Sequence, residues 1–371
     1  MRWVFALSLV FIVCAYAGYP LWAYVKSVWR PRPVRSAPIF PRISIVIAAR
    51  NEAQALPRKM ENLSAIDYPP GQREVIVVSD GSTDSTMEVF KRWESENARL
   101  LILPQRQGKA AALNLGVQSA NGDIIVFTDA RQQIEPDAIR NLVANFADPE
   151  VGCVSGELML GAGAGPQTSA GVGLYWRLEK MIRQWESASG SVVGATGALY
   201  AARKELLTTL PPGTILDDVY NPLQVCRKGK RVIFEPRARA WDEMAGSERE
   251  FQRKVRTLTG NYQLLQLAPW ALTRSNPVRL EFIAHKLMRL LVPFALIALF
   301  LSSWFLPGTL SKAAVALQLI FYGLALLTLT GLRMGALARF GDVALAFLLL
   351  NTAAAVALVY FITGKKEVWV R

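Results

Sequence analysis

Three motifs along the chain contain acidic residues that could bind a ligand. They are IVVSDGSTD at residues 76–84, IIVFTDA at residues 124–130 and ILDDV at residues 215–219. The first two motifs follow β-branched apolar runs, so we expect their acids where buried parallel strands end. Ligands bind at that carboxyl edge of open α/β sheets. Carboxylates there indicate contacts with sugar or base hydroxyls, or with a diphosphate through a divalent metal ion.

The elements that must position these acids alternate between strand and helix. Apolar runs predict strands at residues 43–48, 74–78, 100–103 and 123–127. Helical patterns follow in the stretch ARNEAQALPRKMENL and at residues 85–94 and 109–118. This alternation predicts an α/β fold with a parallel sheet and crossover helices.

The pattern changes after about residue 150. We expect a glycine-rich loop at 161–173, an amphipathic helix at 175–187, a strand at 232–235 and a helix at 248–267. That last helix is basic on one side and apolar on the other, which suits a membrane surface. Gly194 and Gly197 are predicted where the backbone passes close to a neighbouring group.

Four windows contain no Asp, Glu, Lys or Arg: residues 3–25, 290–311, 313–332 and 343–364. Each is close to the ~20 residues that cross a bilayer, so we expect a multi-pass membrane protein. The first window could be a signal peptide cleaved after Ala17, but its aromatic end favours an uncleaved span. The predicted organisation is a span at 1–28, a proline-rich linker at 29–41, a catalytic domain at 42–270, and an interfacial helix with further spans at 271–371.

A net charge of +13 would be compatible with a protein that binds nucleic acid. The basic residues instead crowd beside the spans, which favours anionic lipid and a domain on the cytoplasmic side of the plasma membrane, with no nucleic-acid partner. Lys365, Lys366 and Arg371 favour a cytoplasmic C-terminus, although four spans would place it outside. The three cysteines are far apart and are expected as free thiols.

In order and wording, the three motifs resemble the membrane-anchored family 2 glycosyltransferases, which include cellulose, hyaluronan and poly-N-acetylglucosamine synthases. The resemblance implies a GT-A (nucleotide-diphospho-sugar transferase) fold with membrane helices at both ends. It also implies inverting transfer of a sugar from a nucleotide sugar, expected to be UDP-linked, to a lipid-linked or polysaccharide acceptor at the inner membrane face.

Within that resemblance, the nucleotide-binding residues follow motif by motif. Asp80 in DGSTD corresponds to the acid that contacts the base or ribose, while Asp84 is expected to cap a helix. Lys109 in QGKAAALN stands at a helix start, where a cation is unfavourable unless a phosphate or base binds it. The AARNE stretch, with Ala48, Arg50 and Glu52, would line the nucleoside pocket, although Glu52 could instead be a helix-start acid.

FTDARQQ departs from its relatives. Many have Asp-x-Asp here, binding Mg²⁺ or Mn²⁺ that bridges the donor diphosphate, whereas this chain has Asp129 followed by Arg131. We expect Asp129 in the donor site and as the metal ligand. Arg131 could itself neutralise the diphosphate, which leaves metal dependence open.

The third motif and a basic helix indicate the acceptor side. By the resemblance, Asp218 is the catalytic base and Asp217 its support, although both could be helix-start acids. Arg253 and Arg256, with Trp176, are expected to bind the acceptor. Arg253 and Thr257 stand where the synthases have Gln and Trp, which favours a single addition over processive synthesis.

The sequence disfavours two other functional classes. A nucleotide-dependent oxidoreductase would need a G-x-G-x-x-G turn after the first strand, and AARNEA has no glycine. A catalytically silent membrane scaffold is disfavoured by the presence of Asp80, Lys109, Asp129 and Asp218. His285, the only histidine, is expected at the membrane interface and not in catalysis.

Overall fold

The computed structural model describes residues 1–161, 170–243, 247–331 and 337–364. Within them, eight strands form one sheet. They are β1 (Ile43–Ala49), β2 (Arg73–Asp80), β3 (Ala98–Leu103), β4 (Ile124–Phe127), β5 (Gln133–Ile134), β6 (Val151–Leu160), β7 (Tyr200–Arg203) and β8 (Arg231–Asp242). Their order across the sheet is β3-β2-β1-β4-β7-β6-β8-β5.

Eleven longer helices, counted over the same residues, surround the sheet or extend from it. They are α1 (Arg2–Trp29), α2 (Leu56–Ser64), α3 (Thr86–Phe90), α4 (Lys109–Ser119), α5 (Ala138–Ala144), α6 (Ala170–Ser189), α7 (Asp217–Arg227), α8 (Ser247–Leu267), α9 (Arg279–Ser303), α10 (Gly308–Leu329) and α11 (Ala338–Thr363).

The first four strands in the chain are mutually parallel, which confirms the predicted parallel sheet. Their carboxyl ends therefore meet at one edge. β7 runs antiparallel to both β4 and β6, which makes the whole sheet mixed. The sequence did not reveal β6, and β8 continues well beyond the predicted strand at 232–235.

Apolar layers cover both faces of the sheet. Along β1, Ile45 and Ile47 belong to one buried cluster and Val46 to the other. A strand that is buried on both faces is mostly apolar, which explains the β-branched residues of β1. Its buried polar residue, Ser44, donates to Glu74 at 2.6 Å. The first cluster includes Ile139 of α5, and the second includes Leu113 of α4 and Leu223 of α7.

By length and composition, α1, α9, α10 and α11 could each cross a membrane, as the four uncharged windows predicted. α8 differs from expectation, because its apolar side is covered by protein. Thr259 Oγ1 lies 3.5 Å from the carbonyl of Ala357, and the ring of Tyr262 stacks on Phe361 at 5.7 Å, both in α11. The predicted surface helix is thus packed on a span.

An ion cluster fixes α6 to two of the spans. The ring nitrogens of buried His285 lie 2.7 Å from carboxylate oxygens of Glu179 and Glu186, and Arg289 donates to Glu179 at 2.8 Å. Tyr19 of α1 donates to Glu186. His285 therefore joins α6 to the first turns of α9, and its place at a membrane interface stays a prediction. The charges are stabilised by pairing within the cluster.

Several predicted bounds need correction. The helix expected at 85–94 ends at Phe90 and continues as a 3₁₀ turn over Lys91–Trp93. The expected loop at 161–173 is wrong at its end, because α6 begins at Ala170. Residues 162–169 of that loop lie outside the described residues, as do Lys365, Lys366 and Arg371.

Candidate active site

Two loops at the carboxyl edge are tied together by Asn51 and Asp84. Asn51 has a φ of 55°, a conformation that Asn tolerates, and its Oδ1 accepts the Thr83 amide at 2.8 Å. Asp84 accepts the Ala53 amide at 3.2 Å and the Thr86 amide at 3.0 Å. The second bond closes a turn just before α3, whose N-cap residue is Ser85 without a side-chain cap bond, so the cap predicted at Asp84 is displaced by one residue. Burial raises the pKa of Asp84, but these hydrogen bonds outweigh it and lower the pKa below its ordinary value.

Asp80 orders the loop that precedes α4. Its carboxylate is buried and accepts the backbone amides of Gln107 at 2.6 Å and Gly108 at 2.9 Å. The loop also passes so close to Gly81, whose φ is 59°, that an added Cβ would lie 2.5 Å from the Arg106 nitrogen. Asp80 and Gly81 together hold the loop from which Lys109 emerges.

Lys109 is the central cation of the site. Its Nζ lies 2.9 Å from Asp129 Oδ1 at the end of β4 and 3.4 Å from Asp217 Oδ1 at the start of α7. Burial lowers the pKa of Lys109, but the two carboxylates outweigh it and raise the pKa above its ordinary value. Likewise, burial raises the pKa of Asp129, but Lys109 and Arg131 outweigh it and lower the pKa. Lys109 thus joins the second and third acidic motifs.

The two acids of the third motif have different surroundings. Asp217 is 4% exposed and accepts from the Tyr200 hydroxyl at 3.3 Å, so its oxygens are engaged by the protein. Asp218 is only partly buried, and its Oδ2 accepts the Gly197 amide at 3.0 Å. Burial, followed by repulsion from Asp217, raises the pKa of Asp218 to about 6. A carboxylate with such a pKa is suited to accept a proton near neutral pH.

The close approach predicted at Gly194 and Gly197 is confirmed, and the neighbour is α7. A Cβ on Gly197 would lie 3.2 Å from Asp218 Oδ2, and one on Gly194 would lie 3.0 Å from Val219 Cγ2. The Ala195 amide also donates to the Asp218 carbonyl at 2.7 Å. This segment therefore fixes both the backbone and the side chain of Asp218.

The donor side contains the remaining predicted residues. Ala48 is half-buried in β1, Arg50 is exposed, and Glu52 is half-buried. Burial raises the pKa of Glu52 above its ordinary value. The charge of Arg131 opposes this rise and the charge of Asp129 adds to it, so the three side chains are close enough to interact electrostatically. Arg131 itself is exposed at this edge.

A divalent metal ion would find one carboxylate on the FTDARQQ turn. Asp129 is partly exposed and could fill one position, leaving the others to phosphate oxygens and water. The described ranges contain no group of three or more His, Cys, Asp or Glu side chains arranged to hold a metal. Among the described residues, the protein would thus supply one ligand, Asp129, and phosphate oxygens and water would supply the remaining ligands of the metal ion.

The predicted acceptor residues lie on two helices that meet. Lys254 Nζ of α8 sits over the Trp176 ring of α6 at 4.7 Å. Arg253 donates to Asp242 at 3.4 Å. Arg256 lies one turn before Gly260, where an added Cβ would meet Leu216 at 2.5 Å. Because Leu216 directly precedes α7, Arg256 is on the face of α8 that approaches the two catalytic candidates.

Four residues important to the site were missed from the sequence: Asn51, Lys59, Gln132 and Tyr200. Lys59 is fully buried under the FTDARQQ turn, and Tyr200 stacks on Phe127 at 4.5 Å while contacting Asp217. An available signal was Lys59 itself, a lysine on the apolar side of an amphipathic helix. The contacts of Tyr200 depend on a strand pairing that no local pattern reveals.

Sequence comparison identifies a known domain. Residues 44–209 match the family described as "Glycosyl transferase family 2". The chain is 25% identical over 231 residues to a poly-beta-1,6-N-acetyl-D-glucosamine synthase of Staphylococcus aureus (strain COL), covering 60% of this chain and 55% of that protein. It is 23% identical over 246 residues to the Staphylococcus epidermidis synthase, covering 64% and 59%. The chain thus matches little more than half the length of these relatives.

Structural comparison shows the fold. The chain resembles mannosyltransferase PcManGT from Pyrobaculum calidifontis, solved in complex with GDP-Man and Mn²⁺, with a TM-score of 0.74 and 24% identity. The match covers 98% of this chain and 100% of the other. The expected GT-A fold is confirmed. The four apolar helices and the synthase relatives support association with a membrane.

Replacing Lys109 should show how much its ion pairs stabilise the folded protein. Lys109→Met leaves Asp217, which is nearly buried, without its cation, and should lower the free energy of unfolding by about 1–3 kcal/mol. Thermal unfolding in detergent would measure the loss, with exposed Lys91→Met as the control. The double variant Lys109→Met/Asp217→Asn should recover part of it. A single variant as stable as the wild type would show that the ion pairs contribute nothing.

Proposed function

The chain carries a glycosyl transferase family 2 domain, and from this premise we propose that it is an inverting glycosyltransferase. Its donor would be a nucleotide sugar, expected to be UDP-linked, and its acceptor a lipid-linked glycan or polysaccharide at the inner membrane face. The observation that carries this proposal is that Asp218, a partly buried acid with a raised pKa, directly follows Asp217, which shares Lys109 with Asp129 at the carboxyl edge of the sheet.

Asp218 would act as the general base. As an acceptor hydroxyl oxygen attacks the anomeric carbon, its proton passes to a carboxylate oxygen of Asp218, while the bond from that carbon to the diphosphate oxygen breaks. Attack from the side opposite the leaving group inverts the configuration. Asp217 is engaged by Tyr200 and Lys109, so it would support Asp218 without taking the proton.

The leaving diphosphate needs positive charge. Lys109 and Arg131 are the candidates, and Asp129 would orient Lys109. Mg²⁺ or Mn²⁺ held by Asp129 would supply further charge neutralisation when bound. Asp80, Ala48, Arg50 and Glu52 would form the nucleoside side, with Asp80 acting at least through the loop before Lys109.

The acceptor would approach between α6 and α8. Trp176 offers an apolar ring, and Arg253 and Arg256 offer cations for phosphate or sugar hydroxyls. Thr257 is exposed where the synthases have a Trp for sugar stacking, so we favour one addition over threading of a polymer. The basic residues flanking α1 support a cytoplasmic active site. A thermal-shift screen of nucleotide sugars in detergent, with and without Mn²⁺, would identify the donor, and failure of every nucleotide sugar to bind would contradict the proposal.

Asp218→Asn should abolish transfer while nucleotide affinity stays nearly unchanged, because the base acts on the acceptor. The expected loss in kcat is on the order of 10²-fold or more. Turnover of the screened donor and calorimetry with its nucleoside diphosphate would separate the two effects. Exposed Asp123→Asn is the matched control. If Asp218→Asn turned over as fast as the wild type, Asp218 would not be the base and Asp217 would be the next candidate.

The pH dependence of kcat/KM should reflect the protonation of Asp218. Asp218 must be deprotonated to act as base, so kcat/KM should rise with pH and level off above its raised pKa of about 6. Asp217→Asn removes the repelling neighbour and should shift this acid limb to lower pH, an effect measurable from initial rates between pH 4.5 and 8. An acid limb that Asp217→Asn leaves in place would argue against this assignment.

Arg131 separates two ways of neutralising the diphosphate. If the guanidinium does so, Arg131→Ala should lose activity and become more dependent on metal, while Arg131→Asp should require Mn²⁺ or Mg²⁺. Activity with graded metal and with EDTA would measure this, and exposed Arg92→Ala serves as control. Loss of wild-type activity in EDTA, with Arg131→Ala indifferent, would assign the role to a metal on Asp129.

A further inference from the structure

Lys59 is a fully buried lysine that the proposed mechanism does not use. It lies in α2 with 0% exposure, which is rare for a lysine without a specific partner. Its Nζ donates to Thr128 Oγ1 at 2.9 Å and to the Gln132 carbonyl at 2.8 Å. These acceptors are the two ends of the 128–132 turn, which carries Asp129 and Arg131.

Asp242 holds the same turn through the side chain of Gln132. Its Oδ2 accepts from Gln132 Nε2 at 3.0 Å, and both side chains are buried, with 8% and 3% exposure. The same oxygen lies 3.4 Å from Arg253 Nη1. Since Asp242 ends β8 and Arg253 is on α8, the turn is connected through Asp242 to the helix proposed to bind the acceptor.

Stability alone does not explain these polar residues. Burying a lysine amine and a glutamine amide costs free energy that apolar side chains of similar size would not cost. In addition, Gln132 Oε1 is buried with no hydrogen-bond partner among the described residues. Hydrogen bonds have a preferred direction, so those of Lys59 fix the position of the turn at both of its ends. Apolar contacts have no such direction and would allow the turn to shift.

We propose that Lys59 and Asp242 are positioning residues for sugar transfer, which hold the 128–132 turn through separate hydrogen bonds so that Asp129 and Arg131 meet the donor diphosphate in a fixed geometry. This proposal rests on the proposed function. Neither residue touches the donor. Each acts by preorganising a turn whose displacement by even 1 Å would weaken its contacts with the diphosphate.

The chain offers a matched control. Arg58 and Glu243, the sequence neighbours of Lys59 and Asp242, form an ion pair at 3.3 Å between the same two segments, but both side chains are exposed at 60% and 81%. Such a surface pair contributes little. Arg58→Gln and Glu243→Gln therefore change charge at the same places without touching the turn.

The experiment compares Lys59→Met and Asp242→Asn with these controls in the full chain in detergent. UDP and GDP are titrated by calorimetry, donor KM and kcat are taken from hydrolysis of the matching nucleotide sugar, and melting temperature is recorded. We expect Lys59→Met to raise Kd and KM about tenfold or more, with kcat at saturating donor changed less than about threefold. Asp242→Asn should act in the same direction but less, because its amide oxygen still accepts from Gln132.

Other outcomes contradict the proposal. Unchanged Kd and KM with a lowered melting temperature would make Lys59 a structural brace only. If Lys59→Met does not fold, Asp242→Asn decides, and equal Kd in that variant and Glu243→Gln overturns the proposal. If neither UDP nor GDP nor any nucleotide sugar of the thermal-shift screen binds the wild type, the proposed function fails and this proposal falls with it. Equal binding by wild type and variants overturns the positioning role alone.

Discussion

The site depends on one lysine that neutralises two carboxylates from different elements. Lys109 begins α4, Asp129 follows β4 and Asp217 begins α7, so their ion pairs fix three elements at a single point. Two acids this close would repel each other without the cation. Asp80 and Gly81 in turn hold the loop that aims Lys109. The second acid of the third motif, Asp218, is left partly exposed, with its pKa raised.

The membrane helices extend this arrangement beyond the sheet. α8 packs through Gly260 against Leu216, which directly precedes α7, and through Tyr262 against α11. α6 is fixed to α1 and α9 by the ion cluster around His285. The two helices that carry Trp176, Arg253 and Arg256 are therefore held by spans. An acceptor with a lipid anchor would reach Asp218 along a surface that the membrane helices themselves position.

The sequence predicted much of this, for physical reasons that differ by region. β1, β2 and β4 were predictable because strands buried on both faces are mostly apolar and β-branched, and the acids at the ends of β2 and β4 follow from the parallel topology. β3 lies at the sheet edge and is only partly buried, and its short apolar run was sufficient to predict it. Gly194 and Gly197 could be singled out, although the neighbour, Asp218, could not be named. β6, β7 and the tie through Asn51 depend on contacts between distant segments, which leave no local pattern. The place of Lys59 on the apolar side of α2 was a local signal of its burial, but its partners on the 128–132 turn could not be named from the sequence. α8 showed its amphipathic character, but its apolar face is equally suited to lipid or to a protein span, and only the packing on α11 decides between them.

The central claim is that water or an acceptor attacks the anomeric carbon directly, from the side opposite the diphosphate, with Asp218 as base. Hydrolysis of an α-linked nucleotide sugar by the purified chain in detergent, followed by proton NMR before mutarotation, tests it most directly. The account predicts that the β-anomer of the sugar appears first. Initial release of the α-anomer would contradict direct inversion, and no release of sugar from any nucleotide sugar would contradict the assignment of the site.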